Sequence, residues 1–316
     1  MNQPAPALVS IIIPLYNHAR YIERCLDSIK DDQYPTKEIV IIDDGSRDDS
    51  HVVVERWRET NIDIQDRFIF VRRENRGVAR TLNELIALST GDYIVDLASD
   101  DYLLPGGIGA RVTYLRNHQE KLAVFADCTV VDEQNGFLHA SGLVDLYGAR
   151  KESLADAELL PYELIINWSA PGPVLMARRE LYALVGGYDE TLGVEDWDLY
   201  LRLLSRNQLG FLDCPVAAYR IHGGSSMHDT ARAVSLQQNM IRTITKNIDL
   251  FTGLKRFLLY GLRVRMTGTL AKHTRENLMM GSLKRKAGRR MLQIGKFIYR
   301  MSIQRPAGRR QTKGVS

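Results

Sequence analysis

Two pairs of adjacent aspartates follow short apolar runs in the first third of the chain. Asp43 and Asp44 end the run at residues 39–42, and Asp100 and Asp101 follow a similar run further along. Mg²⁺ and Mn²⁺ are bound by one or two carboxylates together with the oxygens of a substrate diphosphate. Because ligands bind at the carboxyl ends of strands in open parallel sheets, the two acidic strand ends indicate one shared site. The alternative is that these aspartates only terminate strands and cap helices.

Hydrophobic periodicity predicts the elements that must position these residues. The strand patterns of the first half are apolar runs, at residues 9–13, 38–42, 68–71 and 92–97. The helix patterns repeat apolar residues every three or four positions, at residues 22–29, 52–58 and 78–86. This β-α-β-α-β-α-β order predicts a parallel sheet with helices on both faces.

The second half has fewer clear patterns. Strands are predicted at residues 122–126 and 174–177, and a helix is predicted to begin at Glu195. Residues 132–161 are polar and have no clean period, so they could form a loop that recognises a sugar or an acceptor. The region after residue 230 is predicted to be helical and basic.

Five short segments carry a resemblance to a known family. They are VSIIIPLYN at 9–17, IDDGS at 42–46, ENRG at 74–77, ASDD at 98–101 and VEDWD at 194–198. In this order they resemble inverting family 2 glycosyltransferases with the GT-A fold, over roughly residues 8 to 225. Each segment is short, but five in register are specific.

The resemblance implies the fold class and the domains. It implies an α/β, Rossmann-like, mostly parallel central sheet flanked by helices, with a helical basic C-terminal extension. Residues 1–230 would be the catalytic domain, with a nucleotide-binding half at about 8–105 and an acceptor-binding half at about 106–230. Residues 231–316 would form the C-terminal region.

The resemblance also implies the activity and the nucleotide-binding residues. The activity is metal-dependent, inverting transfer from a nucleotide diphosphate sugar, with a UDP-sugar favoured, to a glycan or lipid-linked acceptor in cell-surface polysaccharide or glycolipid synthesis. The predicted nucleotide-binding residues are Pro14, Tyr16, Asn17, Asp43, Asp44, Arg76 and Asp100. Tyr16 offers a ring that can stack on a base, and the Asp44 carboxylate can accept a hydrogen bond from uracil or guanine, with Asp43 in a structural role.

The same resemblance assigns Asp101 and His222 as ligands of Mn²⁺ or Mg²⁺. An imidazole ligand suits Mn²⁺ better than Mg²⁺. The segment ASDD departs from a strict Asp-x-Asp motif, which leaves the division of roles between Asp100 and Asp101 open. A hydrogen-bonded structural role is the alternative for His222, and His228 is a weaker candidate ligand.

Inverting transfer needs a base that takes the proton from the acceptor hydroxyl. Asp196 matches the base of the family, and Glu195 and Trp197 are the predicted acceptor-binding residues. Two alternatives stay open here. Asp196 could be the N-cap of the helix that follows, and Trp197 could be a core residue instead of a platform for sugar stacking.

Other classes of protein fit the motifs less well. A Rossmann oxidoreductase needs a GxGxxG turn after its first strand, where this chain has Pro14 to Ala19, and no P-loop motif is present. A nucleotidyltransferase shares the nucleotide, the metal and the α/β architecture, and is the main enzymatic alternative. A non-catalytic nucleotide-sugar-binding protein is the alternative from another class.

Composition indicates the cellular compartment. Of 316 residues, 45% are hydrophobic and 25% charged, and the three cysteines show no CxxC pair. These values predict a protein of a reducing cytoplasm without a disulfide framework or zinc site. The N-terminal apolar run has no preceding basic segment and is stopped by Pro14, so a strand is predicted there and not a signal peptide.

The charge is unevenly distributed. From Lys255 onward there are 17 Lys and Arg residues and one acid, Glu276, whereas the rest of the chain is net acidic. Apolar residues fall on helical faces in two groups: Phe251, Leu254, Phe257, Leu258 and Leu262, then Ile294, Phe297, Ile298 and Met301. Basic amphipathic helices can lie on an anionic membrane, so attachment to the inner face of the cell membrane is one hypothesis. Packing against the catalytic domain is the other, and nucleic-acid binding is not predicted because no recognised module accompanies the charge.

Overall fold

The computed structural model describes residues 6–61, 67–223, 230–274 and 278–303 of the chain. Contacts divide the chain into two compact units, Met1–Thr243 and Ile244–Ser316. His228, the weaker ligand candidate, lies outside the described residues. Within the described residues, no helix combines the length and apolarity needed to cross a bilayer.

The first unit alternates strands and helices as predicted and continues into a mixed second half. Its strands are β1 Val9–Leu15, β2 Lys37–Asp44, β3 Phe68–Arg73, β4 Tyr93–Asp96, β5 Tyr102–Leu103, β6 Ala123–Val131, β7 Phe137–His139, β8 Leu175–Arg178 and β9 Leu209–Arg220. Its longer helices are α1 Ile22–Asp31, α2 Ser50–Thr60, α3 Val78–Leu88, α4 Gly107–Asn117 and α8 Glu195–Ser205. The shorter helices are α5 Lys151–Ala155, α6 Leu160–Ile166 and α7 Glu180–Leu184, with single turns at Gly142–Leu146 and Gly172–Val174.

The strands within the described residues form one sheet in the order β3-β2-β1-β4-β8-β6-β9-β5, with β7 paired to β6. The first four strands in this order are parallel, whereas β8 runs antiparallel to both β4 and β6. β1 and β2 are buried along almost their whole length. Their continuous Ile and Val runs are typical of strands that are covered on both faces of a parallel sheet. The predicted mostly parallel sheet flanked by helices is confirmed.

The strand pairing explains why the polar residues meet at one edge. Parallel β1, β2 and β4 all end at the same side of the sheet. After β4, the chain crosses to β9, where Tyr102 pairs antiparallel with Ala218. The segment between β4 and β5, which holds Asp100 and Asp101, therefore runs along this edge toward the end of β9.

The second unit is helical. Helix α9, Thr230–Asn247, runs into it, and a short turn at Ile248–Leu250 leads to α10, Gly253–His273, and α11, Leu278–Ile303. Glycines at a spacing of seven, Gly281, Gly288 and Gly295, bring α11 close to α10. A Cβ atom at Gly288 would clash with the backbone nitrogen of Arg265.

The two predicted apolar faces of the second unit differ in the structure. In the first group Phe251, Leu258 and Leu262 are buried. In the second group Ile294, Phe297 and Ile298 are exposed, as are Met279, Met280 and Leu283 on the same helix α11. The side chain of Met301 lies outside the described residues. Helix α11 thus has an apolar outer face.

Candidate active site

Three side chains with metal-ligating atoms meet at the carboxyl ends of β1, β4 and β9. They are His18, Asp100 and His222, and their ligand atoms lie within 4.8 Å of one another. The Nε2 atom of His222 is 3.0 Å from Asp100 Oδ2, and His18 Nδ1 is 3.9 Å from Asp100 Oδ1. Two imidazoles and a carboxylate form a donor set that suits Mn²⁺ and other divalent first-row metals. The residues of this cation cluster therefore fit the predicted cofactor.

The imidazole of His18 is held in position by its neighbours. Its Nδ1 atom is 2.7 Å from the Ser99 hydroxyl, and the Tyr21 ring packs edge-on against it with centroids 5.9 Å apart. Burial lowers the pKa of His18, Asp100 opposes this effect, and His222 adds to it. The lowered pKa favours the neutral ring, which is the form that binds a metal.

Asp101 has a different environment from Asp100. It is 2% exposed, and its Oδ1 atom accepts a hydrogen bond of 2.8 Å from the backbone amide of Arg220. Burial raises the pKa of Asp101 well above its usual range, Asp100 raises it further, and the Arg220 amide and charge oppose the rise. The structure thus brings Asp100 together with the two histidines, and the assignment of Asp101 as a metal ligand stays a prediction.

Arg220 connects three segments around the cation cluster. Its guanidinium donates to the carbonyl oxygen of Asp100 at 2.7 Å, to that of Asp132 at 2.8 Å and to the side chain of Asn135 at 2.7 Å. The same guanidinium lies over the Tyr21 ring, 4.8 Å from its centroid. Arg220 therefore fixes the loop after β4 against the ends of β6 and β9.

The second acidic pair lies at the end of β2. Asp44 accepts hydrogen bonds from the Arg73 guanidinium and from the backbone amides of Arg76, at 2.7 Å, and Gly77, at 3.0 Å. Gly77 has φ of 88°, a conformation that favours glycine and that ends this loop before α3. Asp44 thus organises the loop after β3, and a carboxylate with about four acceptor positions keeps capacity for a further donor.

Asp43 is fully buried beside it. Its Oδ1 atom accepts a hydrogen bond of 2.7 Å from the Ser46 amide. Its Oδ2 atom is buried without a hydrogen-bond partner among the described residues, and Arg72 Nε is 3.7 Å away.

The other predicted nucleotide-binding residues lie near the same edge. Tyr16 follows β1 and is 42% exposed, so its ring is accessible. Asn17 has φ of 55°, and its Oδ1 atom accepts a hydrogen bond of 2.8 Å from the Arg47 amide. The Arg76 side chain points to Glu84 at 3.2 Å. Pro14 lines a cavity that also contains Asp96 and Asp196.

This cavity has a volume of about 160 Å³. It is lined by three carboxyl groups, those of Asp96, Glu195 and Asp196. Its other walls include Pro14, Leu82, Ala98, Pro171, Tyr188 and Tyr200. Of residues 132–161, which were predicted to hold a recognition loop, none lines it. A cavity of similar size in another protein accommodates a six-membered ring.

The three carboxyl groups share raised pKa values. Burial raises the pKa of Asp96 to about 7, against the hydrogen bond from Tyr188, and Asp196 raises it further. Burial and Asp196 raise the pKa of Glu195 to about 7. Burial also raises the pKa of Asp196, while the amides of Trp197 and of Asp196 itself oppose the rise. Raised carboxyl pKa values are a common feature of acid–base sites.

Helix α8 presents Asp196 to the cavity. Val194 occupies the N-cap position and Asp196 is the second residue of the helix, where its Oδ1 atom accepts a hydrogen bond of 2.6 Å from the Trp197 amide. The N-cap alternative for Asp196 is therefore wrong. Trp197 is 2% exposed, packs 6.1 Å from the Trp168 ring and does not line the cavity. Its contact with an acceptor stays a prediction.

Sequence reasoning missed several residues of the site. His18 stands three residues after the end of β1, and the strand-end rule that singled out the aspartates applies to it as well. Asp96 ends β4 and breaks an otherwise apolar run, which is a signal in itself. Arg73 and Arg220 carry no such signal, since isolated arginines next to strand ends are common.

Comparison with protein families decides the identity of the chain. Residues 10–168 match the family model described as glycosyl transferase family 2. The chain belongs to this family. Among relatives of this glycosyltransferase, an uncharacterised glycosyltransferase of Rickettsia typhi is 26% identical over 245 residues, which are 76% of the chain and 73% of the relative. Chondroitin synthase of Escherichia coli is 26% identical over 197 residues, which are 62% of the chain and 26% of that protein.

Solved structures confirm the GT-A fold of the glycosyltransferase. A mannosyltransferase from Pyrobaculum calidifontis, in complex with GDP-Man and Mn²⁺, aligns with a TM-score of 0.61 and 20% identity over 94% of this chain and 83% of that one. Residues 1–349 of TarS from S. aureus, in complex with UDP-GlcNAc, align with a TM-score of 0.63 and 15% identity over 93% of this chain and 92% of that one.

Proposed function

We propose that this glycosyltransferase transfers a sugar from a nucleotide diphosphate sugar to an acceptor hydroxyl, with inversion at the anomeric carbon and with a divalent cation as cofactor. One observation carries the proposal. Ala98 lines the ring-sized cavity that contains Asp196. The next residue, Ser99, is hydrogen-bonded to His18, and Asp100 is a member of the cation cluster. A sugar in this cavity would have a carboxylate on one side and a site for its diphosphate on the other.

Asp196 is the proposed base. The acceptor oxygen forms a bond to the anomeric carbon while its proton passes to the Asp196 carboxylate, and the bond from that carbon to the diphosphate oxygen breaks with both electrons leaving on the diphosphate. A single displacement of this kind inverts the anomeric configuration. The raised pKa of Asp196 makes it a stronger proton acceptor than an exposed aspartate.

His18, Asp100 and His222 are the proposed cation ligands. A divalent cation bound there would act as a Lewis acid that compensates the negative charge of the leaving diphosphate. The protein contributes a neutral His18 ring, oriented by Ser99, and a loop that Arg220 keeps in place. The Mn²⁺ in the mannosyltransferase complex supports a cation in a protein of this fold.

A UDP-sugar is the favoured donor class. Tyr16 has an accessible ring, and the Asp44 carboxylate can accept a hydrogen bond from the N–H of uracil. The structures with UDP-GlcNAc and GDP-Man support a nucleotide diphosphate sugar of either base. Membership of family 2 disfavours the nucleotidyltransferase and the non-catalytic binding protein.

Product analysis tests this function. The full-length protein is incubated with Mn²⁺ and a panel of UDP-, GDP- and dTDP-sugars, and nucleoside diphosphate release is measured. Release from at least one donor, with inverted configuration in the sugar product, is expected. Release of pyrophosphate in a parallel incubation with nucleoside triphosphates and a sugar 1-phosphate would identify a nucleotidyltransferase instead, and binding of a nucleotide sugar without turnover would identify a sensor.

We further propose that the second unit attaches the enzyme to the inner face of the cell membrane, where it would glycosylate a lipid-linked or polysaccharide acceptor. Helix α11 exposes Met279, Leu283, Ile294 and Phe297, and the chain from Lys255 onward has 17 basic residues and one acid. An apolar face with basic surroundings matches the chemistry of an anionic lipid surface.

A further inference from the structure

Asp96 is a second carboxyl group in the cavity that the proposed mechanism does not use. It is the last residue of β4 and lines the cavity together with Asp196. Its Oδ2 atom accepts one hydrogen bond, 3.2 Å long, from the Tyr188 hydroxyl. Its other oxygen has no hydrogen-bond partner among the described residues. Asp96 therefore keeps capacity to bind a polar group inside the cavity.

Tyr188 is itself rigidly positioned. It is 5% exposed, and its backbone amide donates to Asn83 Oδ1 while the Asn83 amide donates to its carbonyl oxygen, both at 2.9 Å. Gly187 is needed next to this pair, because a Cβ atom there would lie 2.5 Å from Asn83 Oδ1. The chain thus fixes the orientation of Asp96 through Tyr188 and α3, which is more than a strand-terminating aspartate requires.

The cavity is similar in volume to one that holds a six-membered ring, and its described lining contains acidic side chains but no basic ones. Its volume of about 160 Å³ is close to the roughly 150 Å³ of a cavity that holds benzene. Its described lining includes Pro14, Leu82 and Tyr200 but no lysine or arginine. A sugar with a carboxylate would find no lysine or arginine in this lining to balance its charge, and the lack of a compensating cation is a means of rejecting a ligand.

We propose that Asp96 determines donor specificity by bonding a hydroxyl or amino group of the donor sugar, and that the cavity selects neutral or amino sugars against uronic acids. The inference rests on the proposed function, because it takes the cavity as the site of the donor sugar. The apolar walls contact the sugar ring, and Asp96, held by Tyr188, forms a hydrogen bond with one polar substituent of the ring. Asp96 touches the sugar but takes no proton from the acceptor.

The test compares nucleotide and nucleotide-sugar affinities by calorimetry in the full-length protein. Wild type, Asp96→Asn, Asp96→Ala and Tyr188→Phe are titrated with UDP, UDP-glucose, UDP-N-acetylglucosamine and UDP-glucuronic acid, or the GDP or dTDP counterparts if wild type binds those nucleotides. Asp92→Asn is the matched control, since Asp92 directly precedes β4, the strand that Asp96 ends, and its side chain is exposed. Asp96→Asn preserves shape, so it keeps the test valid if Asp96→Ala does not fold.

Three results support the inference. Wild type binds a neutral or amino donor more tightly than the free nucleotide and more tightly than the uronic acid donor. In Asp96→Ala the ratio of nucleotide-sugar affinity to free-nucleotide affinity falls about tenfold, while the affinity for the free nucleotide stays within about twofold of wild type. Asp96→Asn reduces the difference in affinity between neutral donors and uronic acid donors. Asp92→Asn behaves as wild type.

Two results overturn it, and they are distinguishable. If wild type binds nucleotide sugars and the Asp96 variants keep the wild-type ratio of sugar-donor to free-nucleotide affinity, Asp96 has only a structural role and the proposed function stands. If wild type binds neither nucleotides nor nucleotide sugars, the proposed function fails together with the inference.

Discussion

The Nε2 atom of His222 lies 3.0 Å from Oδ2 of Asp100, although 122 residues separate the two in the chain. The contact exists because the segment after β4 crosses the sheet edge and pairs with β9 through Tyr102 and Ala218. A histidine that follows β9 is thereby placed beside a carboxylate that follows β4. Both halves of the sheet are needed to build the cation cluster.

The first prediction concerns which aspartate binds the cation. Asp100→Asn is expected to weaken Mn²⁺ binding by about tenfold or more, because it removes the anionic member of the cation cluster. Asp101→Asn is expected to keep most of the Mn²⁺ affinity and of the thermal stability, since Asp101 is not a member of the cation cluster and Asn can still accept the hydrogen bond from the Arg220 amide. Calorimetric titration with MnCl₂ in the presence of UDP measures the Mn²⁺ affinity of both variants, and thermal unfolding measures their stability.

His139→Ala is the control for histidine loss, because His139 lies on β7, outside the cation cluster, and is exposed. It should bind Mn²⁺ as wild type does, whereas His222→Ala should not. If Asp101→Asn loses Mn²⁺ binding and Asp100→Asn keeps it, the assignment made from the sequence motif is the right one and the cluster geometry is not that of the loaded enzyme.

The second prediction concerns the base. Asp196→Asn is expected to reduce transfer by about 100-fold or more, because the amide cannot take the acceptor proton. It should leave nucleotide affinity and melting temperature close to wild type, since Asn can still accept the Trp197 amide bond. Glu195→Gln, the neighbouring change in the same cavity, should have a smaller effect on rate. Near-normal transfer by Asp196→Asn, with a large loss in Glu195→Gln, would move the base to Glu195.

The third prediction concerns stability against pH. Folded Asp96 has a pKa of about 7, above its ordinary value of 3.8, so between these values the folded protein holds a proton that the unfolded chain has released. The free energy of unfolding therefore falls as the pH rises through this window. Asp96→Asn removes this dependence and should narrow the fall in melting temperature between pH 5 and pH 8 by several degrees. Asp92→Asn should follow wild type, and identical curves for all three proteins would contradict the assignment.

The fourth prediction concerns membrane attachment. Full-length protein is expected to sediment with vesicles that contain anionic lipid, less so at high salt, because basic residues contribute about 1 kcal/mol each near such a surface. Phe297→Ser should reduce sedimentation. Phe137→Ser is the matched control, since Phe137 is 68% exposed on the first unit and Phe297 is 63% exposed on α11. Equal sedimentation of both variants and wild type would reject the outer face of α11 as a lipid-binding surface.

The first half of the fold could be predicted from the sequence because its signals are local. β1 to β4 are short apolar runs, and α1 to α3 have clear helical spacing. β9 could not be predicted, because Asp213, Cys214 and Pro215 interrupt its pattern. The structure explains this interruption: the pairing with β6 shifts register there, from Ala126↔Leu212 to Asp127↔Pro215, so the extra residues bulge out. The position of β8 between β4 and β6 is likewise a matter of tertiary packing.

The site shows the same division. The strand-end aspartates stand out in a single sequence, because carboxylates directly after apolar runs are unusual. Asp196 is recognised only through the family resemblance of the segment at 194–198. The partnership of His18 with Asp100 and His222 is not visible, since it depends on a strand crossing. Nor does the sequence indicate that Asp44 is held by three donors while Asp43 keeps a buried oxygen without a hydrogen bond.

The glycines of α11 have a consequence for how the second unit is held together. Gly281, Gly288 and Gly295 recur every two turns on the side of α11 that faces α10, so backbone contacts replace much of the side-chain packing between these helices. Of the large described side chains on α11, only Leu292 and Tyr299 are buried. The pairing of the two helices therefore leaves most of the bulky apolar residues of α11 on its outer surface. That surface can change its surroundings, from water to lipid or another apolar partner, without the two helices having to separate.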